Sequence, residues 1–115
     1  LKLVVGRSDF AEPSLAAVNI MPESFELSQN YPNPFNPSTT IRYALPEASA
    51  VTMQVFNMLG ESIRTLIDRE TVNAGFHTVV WDGRDDFGRV AASGVYVYTI
   101  RAGEFNGLRK MALVK

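Results

Sequence analysis

Residues 30–41 read NYPNPFNPSTTI, Asn30 to Ile41, and they separate a loosely composed first quarter from a regularly patterned remainder. Three of the chain's six prolines lie here, Pro32, Pro34 and Pro37, each preceded by Tyr or Asn. Proline fixes its own φ and biases the residue before it toward extended geometry, so the segment can be neither helix nor central strand. A stiff, extended strap is expected. Two large aromatics, Tyr31 and Phe35, stand among the prolines, and the edge or open end of a following sheet is the expected place to bury both.

Downstream of the strap the pattern is that of strands. Thr39 to Leu45 is β-branched and aromatic, with Ile41 and Tyr43 on one face and Pro46 at its end. Upstream, Phe25 and Leu27 alternate with polar residues. Val51, Met53 and Val55 form the next apolar face, and Gly60 supplies the positive φ of a tight hairpin that returns through Glu61 to Ile67. Asp68 to Gly75 is polar and reads as a loop. His77, Val79 and Trp81 then share a face opposite Phe76, Thr78 and Val80. Trp81 to Arg89, WDGRDDFGR, holds three aspartates and two glycines in nine residues, the composition of a tight turn. From Ser93-Gly94 a strand places Tyr96, Tyr98 and Ile100 on one face. Gly103 to Gly107 reads as a hairpin and Leu108 to Lys115 as the closing strand.

About seven short strands with no convincing amphipathic helix point to an all-β fold, an Ig-like antiparallel β-sandwich with Trp81 as its core anchor. Residues 25–115 are expected to form this domain, and residues 1–24, broken by Pro13 and Pro22, a linker or the tail of an upstream domain. Leu1 to Gly6 could be a strand and Ser14 to Val18 a helical turn. The chain begins at Leu1 without Met or a signal-like pattern and reads as a piece of a longer polypeptide.

Composition narrows function. With 11 basic and 12 acidic residues and no Lys/Arg cluster, nucleic acid is not an expected partner. Apolar runs fall far short of the roughly 20 residues that span a bilayer, so no membrane insertion is expected. The absence of cysteine removes disulfides and thiolate chemistry. His77 is the single histidine, and no local nucleophile and acid accompany it, so a structural role and no catalytic residue are expected. Asp82, Asp85 and Asp86 are the only oxygen-rich cluster. Their spacing departs from the helix-loop-helix calcium pattern, and turn chemistry is favoured over a metal, with no cofactor expected. Phe87 and Phe105 fall in predicted turns and are the aromatics expected to be exposed. Arg109, Lys110 and Lys115 read either as a recognition tag or as lysines that protect an edge strand.

In unbroken order from about Phe25 to Lys115, the segments NYPNPFNPSTTIRYALP, VFNMLGESIRTL, NAGFHTVVWDGRDDFGR, SGVYVYTIRAG and RKMALVK resemble the type A C-terminal sorting domain of the type IX (Por) secretion system. They are also similar to the Ig-like domain of the flagellar hook-capping protein. The resemblance implies a non-enzymatic sorting and anchoring domain of secreted proteins from Bacteroidetes-type bacteria. Such a domain passes through the periplasm to the cell surface or medium. The implied partners are the outer-membrane translocon, its shuttle proteins and a sortase-like peptidase that removes the domain, besides the upstream cargo. The motif positions carried over are Asn33, Pro34, Phe35, Gly75, Trp81, Gly83, Gly88, Gly94, Tyr96, Lys110 and Lys115. The alternatives are a carbohydrate-binding module or a structural Ig-like accessory of a secreted enzyme.

Overall fold

The computed structural model describes residues 21–115, and the strand and helical turn expected at Leu1 to Gly6 and Ser14 to Val18 lie outside the described residues. Seven strands follow in order: β1 (Glu26–Leu27), β2 (Thr39–Leu45), β3 (Ser49–Asn57), β4 (Ser62–Val72), β5 (Gly75–Trp81), β6 (Gly94–Ala102) and β7 (Phe105–Leu113). They make two antiparallel sheets, β1-β2-β5 and β4-β3-β6-β7. No helix among the described residues is long and apolar enough to cross a membrane.

The period-two alternation explains how the sheets meet. Val51, Met53 and Val55 of β3 and Tyr96, Tyr98, Ile100 and Ala102 of β6 point inward from the four-stranded sheet. Ile41, Tyr43 and Leu45 of β2 and Trp81 of β5 face them from the three-stranded sheet. Each fully buried side chain of this size contributes on the order of 1.5–3 kcal/mol of transfer free energy, which makes this shared layer the main stabilising feature of the fold. Two buried tyrosines carry their hydroxyls to backbone acceptors, Tyr98 to Ser28 at 2.6 Å and Tyr96 to Ala92 at 2.6 Å, so neither leaves a polar atom unpaired in the core. The second is the tyrosine-corner arrangement of immunoglobulin-like sandwiches, a strand-opening Tyr tied to the backbone just upstream.

Three expectations need correction. The polar stretch after Ile67 is strand up to Val72, because β4 is a solvent-facing edge whose outer positions tolerate charge; only Asn73 and Ala74 separate it from β5. Its pairing with β3 is interrupted by register shifts, and Arg69 there has a φ of 49°. Phe105 is not in a turn. It opens β7 and stacks on Phe25 at 5.3 Å, closing the far end of the core. Tyr31 is not buried with Phe35 but is 81% exposed, since its bridge to Thr40 puts it on the outer face of the three-stranded sheet. The tight turn expected within Trp81 to Arg89 is present, with Gly88 N donating to Asp85 O at 3.0 Å and Asp85 N to Arg89 O at 2.8 Å, and it lies in the segment 82–93 that crosses from β5 in one sheet to β6 in the other.

Candidate functional site

The strap is a series of bends between two single bridging residues, Tyr31 and Phe35, and all three of its X-Pro bonds are cis. A buried clasp closes it. Asn30 Nδ2 donates to the Pro32 carbonyl (3.1 Å) and to Thr39 Oγ1 (3.0 Å), while Thr39 Oγ1 donates to the same carbonyl (2.8 Å). Gln29 Nε2 donates to Asn30 Oδ1 at 2.7 Å, so the buried amide has partners on both its atoms. Proline brings no N–H of its own, which leaves the strap fewer donors to satisfy as it turns inward.

Beyond the clasp the strap pairs with the end of β7. Phe35 N donates to Ala112 O (2.9 Å), Val114 N donates to Phe35 O (3.0 Å), and Asn33 Oδ1 accepts from Ala112 N (3.0 Å). Phe35 is thereby driven into the core against Trp81, with ring centroids 5.5 Å apart, and Trp81 meets Tyr96 edge-on at 5.4 Å. The Trp81 indole N–H donates to Arg84 O at 2.8 Å. Gly83 lies under the strap with φ +78°, and a Cβ there would stand 2.7 Å from the Pro37 carbonyl oxygen, so only glycine fits without movement.

Asn33, Pro34, Phe35, Trp81, Gly83 and Tyr96 therefore converge on one pole of the sandwich, where Gly94 opens β6. A groove of about 220 Å³ at this pole is bordered by Asn36, Pro37, Gly83, Val90 and the exposed Lys115. Gly75 opens β5 at the opposite end, and Gly88 lies in the crossing loop. Lys110 is exposed partway along β7, its carbonyl accepting Gln29 Nε2 at 2.6 Å.

The three aspartates do not point at a common centre. Asp82 Oδ1 accepts from the Arg84 amide (3.0 Å) and pairs with the Arg64 guanidinium (3.1 Å); Asp86 Oδ1 accepts from Thr65 N (2.9 Å) on β4. Asp85 caps its own turn, accepting from the amides of Phe87 and Arg89, both at 2.9 Å, and from Arg89 Nε at 3.1 Å. Desolvation acts to raise the Asp85 pKa, but those two amides and the Arg89 guanidinium outweigh it and hold the carboxyl below its ordinary value. Among the described residues no group of three or more His, Asp or Glu side chains is placed to hold a metal ion. His77 stacks on Tyr43 at 5.4 Å, and its Nε2 lies 2.8 Å from the Asn73 carbonyl. No nucleophile is among these contacts.

Phe87 is 81% exposed, as expected of a turn aromatic, with the Arg89 guanidinium 5.1 Å from its ring centre. Sequence reasoning missed the clasp and Arg64. Asn30 and Thr39 bracket the proline run, a signal that could have marked them. Arg64 sits in an ordinary strand pattern, and nothing local announces that it reaches Asp82 and the Arg84 carbonyl (3.1 Å) across the loop.

Two antiparallel sheets packed over an aromatic core, with a tyrosine corner at one pole, define an immunoglobulin-like domain. The FlgD Ig-like domain family matches residues 36–104, and the chain belongs to that family. None of the curated proteins matches it. Among solved structures, dimeric latent PorU from Porphyromonas gingivalis is similar with a TM-score of 0.62 and 18% identity, over 84% of this chain and 10% of that one. PorZ of the same organism, described as an essential bacterial surface component of the type-IX secretion system, is similar at a TM-score of 0.50 and 20% identity, over 81% of this chain and 12% of that one. FlgD from P. aeruginosa gives a TM-score of 0.51 and 21% identity, over 65% of this chain and 58% of that one. At these identities the likeness is one of fold. The chain spans about a tenth of the two Porphyromonas chains.

Proposed function

We propose that this Ig-like domain is a non-catalytic sorting domain that directs a larger protein through a type IX secretion system to the cell surface or medium. The observation that carries the reading is the convergence of the strap motif, Trp81, Gly83 and Tyr96 on the pole that also presents Lys115. The shared fold with parts of PorU and PorZ supports it. β1 runs from its pairing with Ala44 toward the Tyr31–Thr40 bridge, so the upstream chain enters at the opposite end. In this reading the translocon, shuttle proteins and peptidase read exposed groups such as Lys110 and Lys115, while Phe35, Trp81 and Gly83 serve recognition by holding the pole in shape.

Strand addition along the C-terminal half of β7 does not fit the structure, because the strap and Gln29 already take its outer backbone groups at Lys110, Ala112 and Val114. Side-chain recognition is the better mechanism. The test is export of a fluorescent reporter carrying an ordinary periplasmic signal and residues 1–115 at its C-terminus, in bacteria with and without a working type IX translocon. Translocon-dependent appearance outside the cell is expected, with Lys110→Ala/Lys115→Ala reducing it while the purified domain melts as the parent does. Reporter retained in the periplasm of both strains would favour a structural Ig-like module, the reading closest to the family assignment itself.

A further inference from the structure

Among the described residues the sandwich has four strand edges, and three of them are shortened, bulged or partly covered. An open edge is a row of unpaired N–H and C=O groups that templates further pairing unless it is shortened, bulged or covered. β1 is only two residues long. β4 is bulged, and the crossing loop covers part of it through Asp86 N donating to Ile63 O (2.9 Å) and Thr65 N donating to Asp86 Oδ1 (2.9 Å). The C-terminal half of β7 is covered by the strap and Gln29, which take its outer backbone groups at Lys110, Ala112 and Val114.

β5 has none of these devices among the described residues. It runs seven residues, GFHTVVW, with no Lys, Arg, Asp, Glu or Pro, and pairs with β2 in unbroken register. The direction of its free groups follows from β2. Thr40 exchanges both backbone bonds with Tyr31 at 2.9 Å, and Arg42 O accepts from Ser28 N at 2.9 Å, so the even residues of β2 bond toward β1 and its odd residues toward β5. Their partners Val79 and His77 are thus used up, which leaves the N–H and C=O of Phe76, Thr78 and Val80 pointing outward. The same three residues turn their side chains to solvent, Phe76 53% and Val80 57% exposed.

We propose that β5 is the pairing edge for a second copy of this chain, joining two three-stranded sheets antiparallel across a two-fold axis at Thr78. The strand is self-complementary in that register. Phe76 meets the partner's Val80, Val80 meets the partner's Phe76 and Thr78 meets itself, which sets aromatic against β-branched and Thr against Thr, both favourable cross-strand pairs. All the outward backbone groups of the three residues are satisfied at once. No Lys, Arg, Asp or Glu lies on β5 to repel its copy. The nearest, Arg42 beside Thr78, is separated from its counterpart by three strand spacings, about 14 Å, beyond the range of strong interaction at physiological salt. The self-match distinguishes a second copy from an unrelated strand, and the pairing stands whether or not the domain sorts proteins.

So small an interface predicts a weak dimer, with Kd of about 10 µM to 1 mM. Sedimentation equilibrium on the 115-residue chain across that range should show the mass rising toward twice the monomer. Amide exchange at Phe76, Thr78 and Val80 should slow as concentration rises. Thr78→Lys places like charges face to face on the axis and should weaken association at least tenfold with an unchanged far-UV spectrum, whereas Thr78→Val should preserve it. A chain monomeric throughout the range, or a dimer indifferent to Thr78→Lys, overturns the proposal. So does slow exchange that is independent of concentration, which would mean that the edge is covered within one chain.

Discussion

Gly83 shows how a single hydrogen atom in place of a methyl group can decide whether two segments meet. Its φ of +78° is shared in kind by Gly88 at +82°, but a Cβ on Gly88 would meet nothing within 4 Å, whereas one on Gly83 would strike the Pro37 carbonyl at 2.7 Å. Both alanine substitutions should carry the cost of a left-handed backbone, about 1 kcal/mol. Gly83→Ala should cost at least another 1–2 kcal/mol for displacing the strap. Urea denaturation of the two variants checks this, and equal losses would show that the strap yields freely. Both glycines are visible in WDGRDDFGR, and the residues alone do not rank them. The difference lies in Pro37, some 46 positions earlier in the chain.

Among the elements, the strap depends on few polar contacts. Asn30 is 2% exposed and joins Gln29, Pro32 and Thr39, so Asn30→Ala leaves the buried Thr39 Oγ1 without its donor and the Pro32 carbonyl with one donor in place of two. A loss of about 1–3 kcal/mol is expected. Because the strap pins β7, exchange of the Ala112 and Val114 amides should accelerate more than that of mid-sheet amides such as Val55. Uniform acceleration would instead mean that the strap and sheets unfold as one unit. The strap's existence was legible from its prolines, and so was the burial of Phe35. The fate of Tyr31 was not, since proline spacing does not say on which side of a sheet the neighbouring aromatic emerges. The length of β4 was hidden for a related reason: polar residues on an edge strand look like a loop until the partner strand is known.

For the whole molecule, burial of tyrosine couples stability to alkaline pH. Burial pushes the Tyr98 hydroxyl up to about 12, and only in second place does its hydrogen bonding and the Arg109 charge pull the other way. Tyr96 is raised by burial, and Tyr43 by burial and then by the Glu70 charge. An unfolded tyrosine ionises near pH 10, so the unfolded state sheds its protons first. Stability is full below about pH 10 and falls as pH climbs from about 10 to about 12, by about 2–3 kcal/mol for Tyr98 alone. Denaturation midpoints measured across that range should drop, and Tyr98→Phe should start lower for want of the Ser28 hydrogen bond but decline less steeply. An equal slope in both proteins would assign the effect to other groups.

Alternation, turn chemistry and the placement of aromatics are properties of neighbouring residues, and they were enough to read an all-β sandwich, most of its strands and Trp81 as its anchor. The motif residues were equally visible as a set along the chain. The meeting of Asn33, Pro34, Phe35, Trp81, Gly83 and Tyr96 at one pole was not, because Asn33 reaches Ala112, and Phe35 reaches Trp81, only through the crossing of two sheets. Nor could neighbouring residues tell which strands become edges or which edges are covered. Edge status belongs to the pairing of distant segments, so the covering of the C-terminal half of β7 and the edge position of β5 among the described residues were decided by tertiary structure alone.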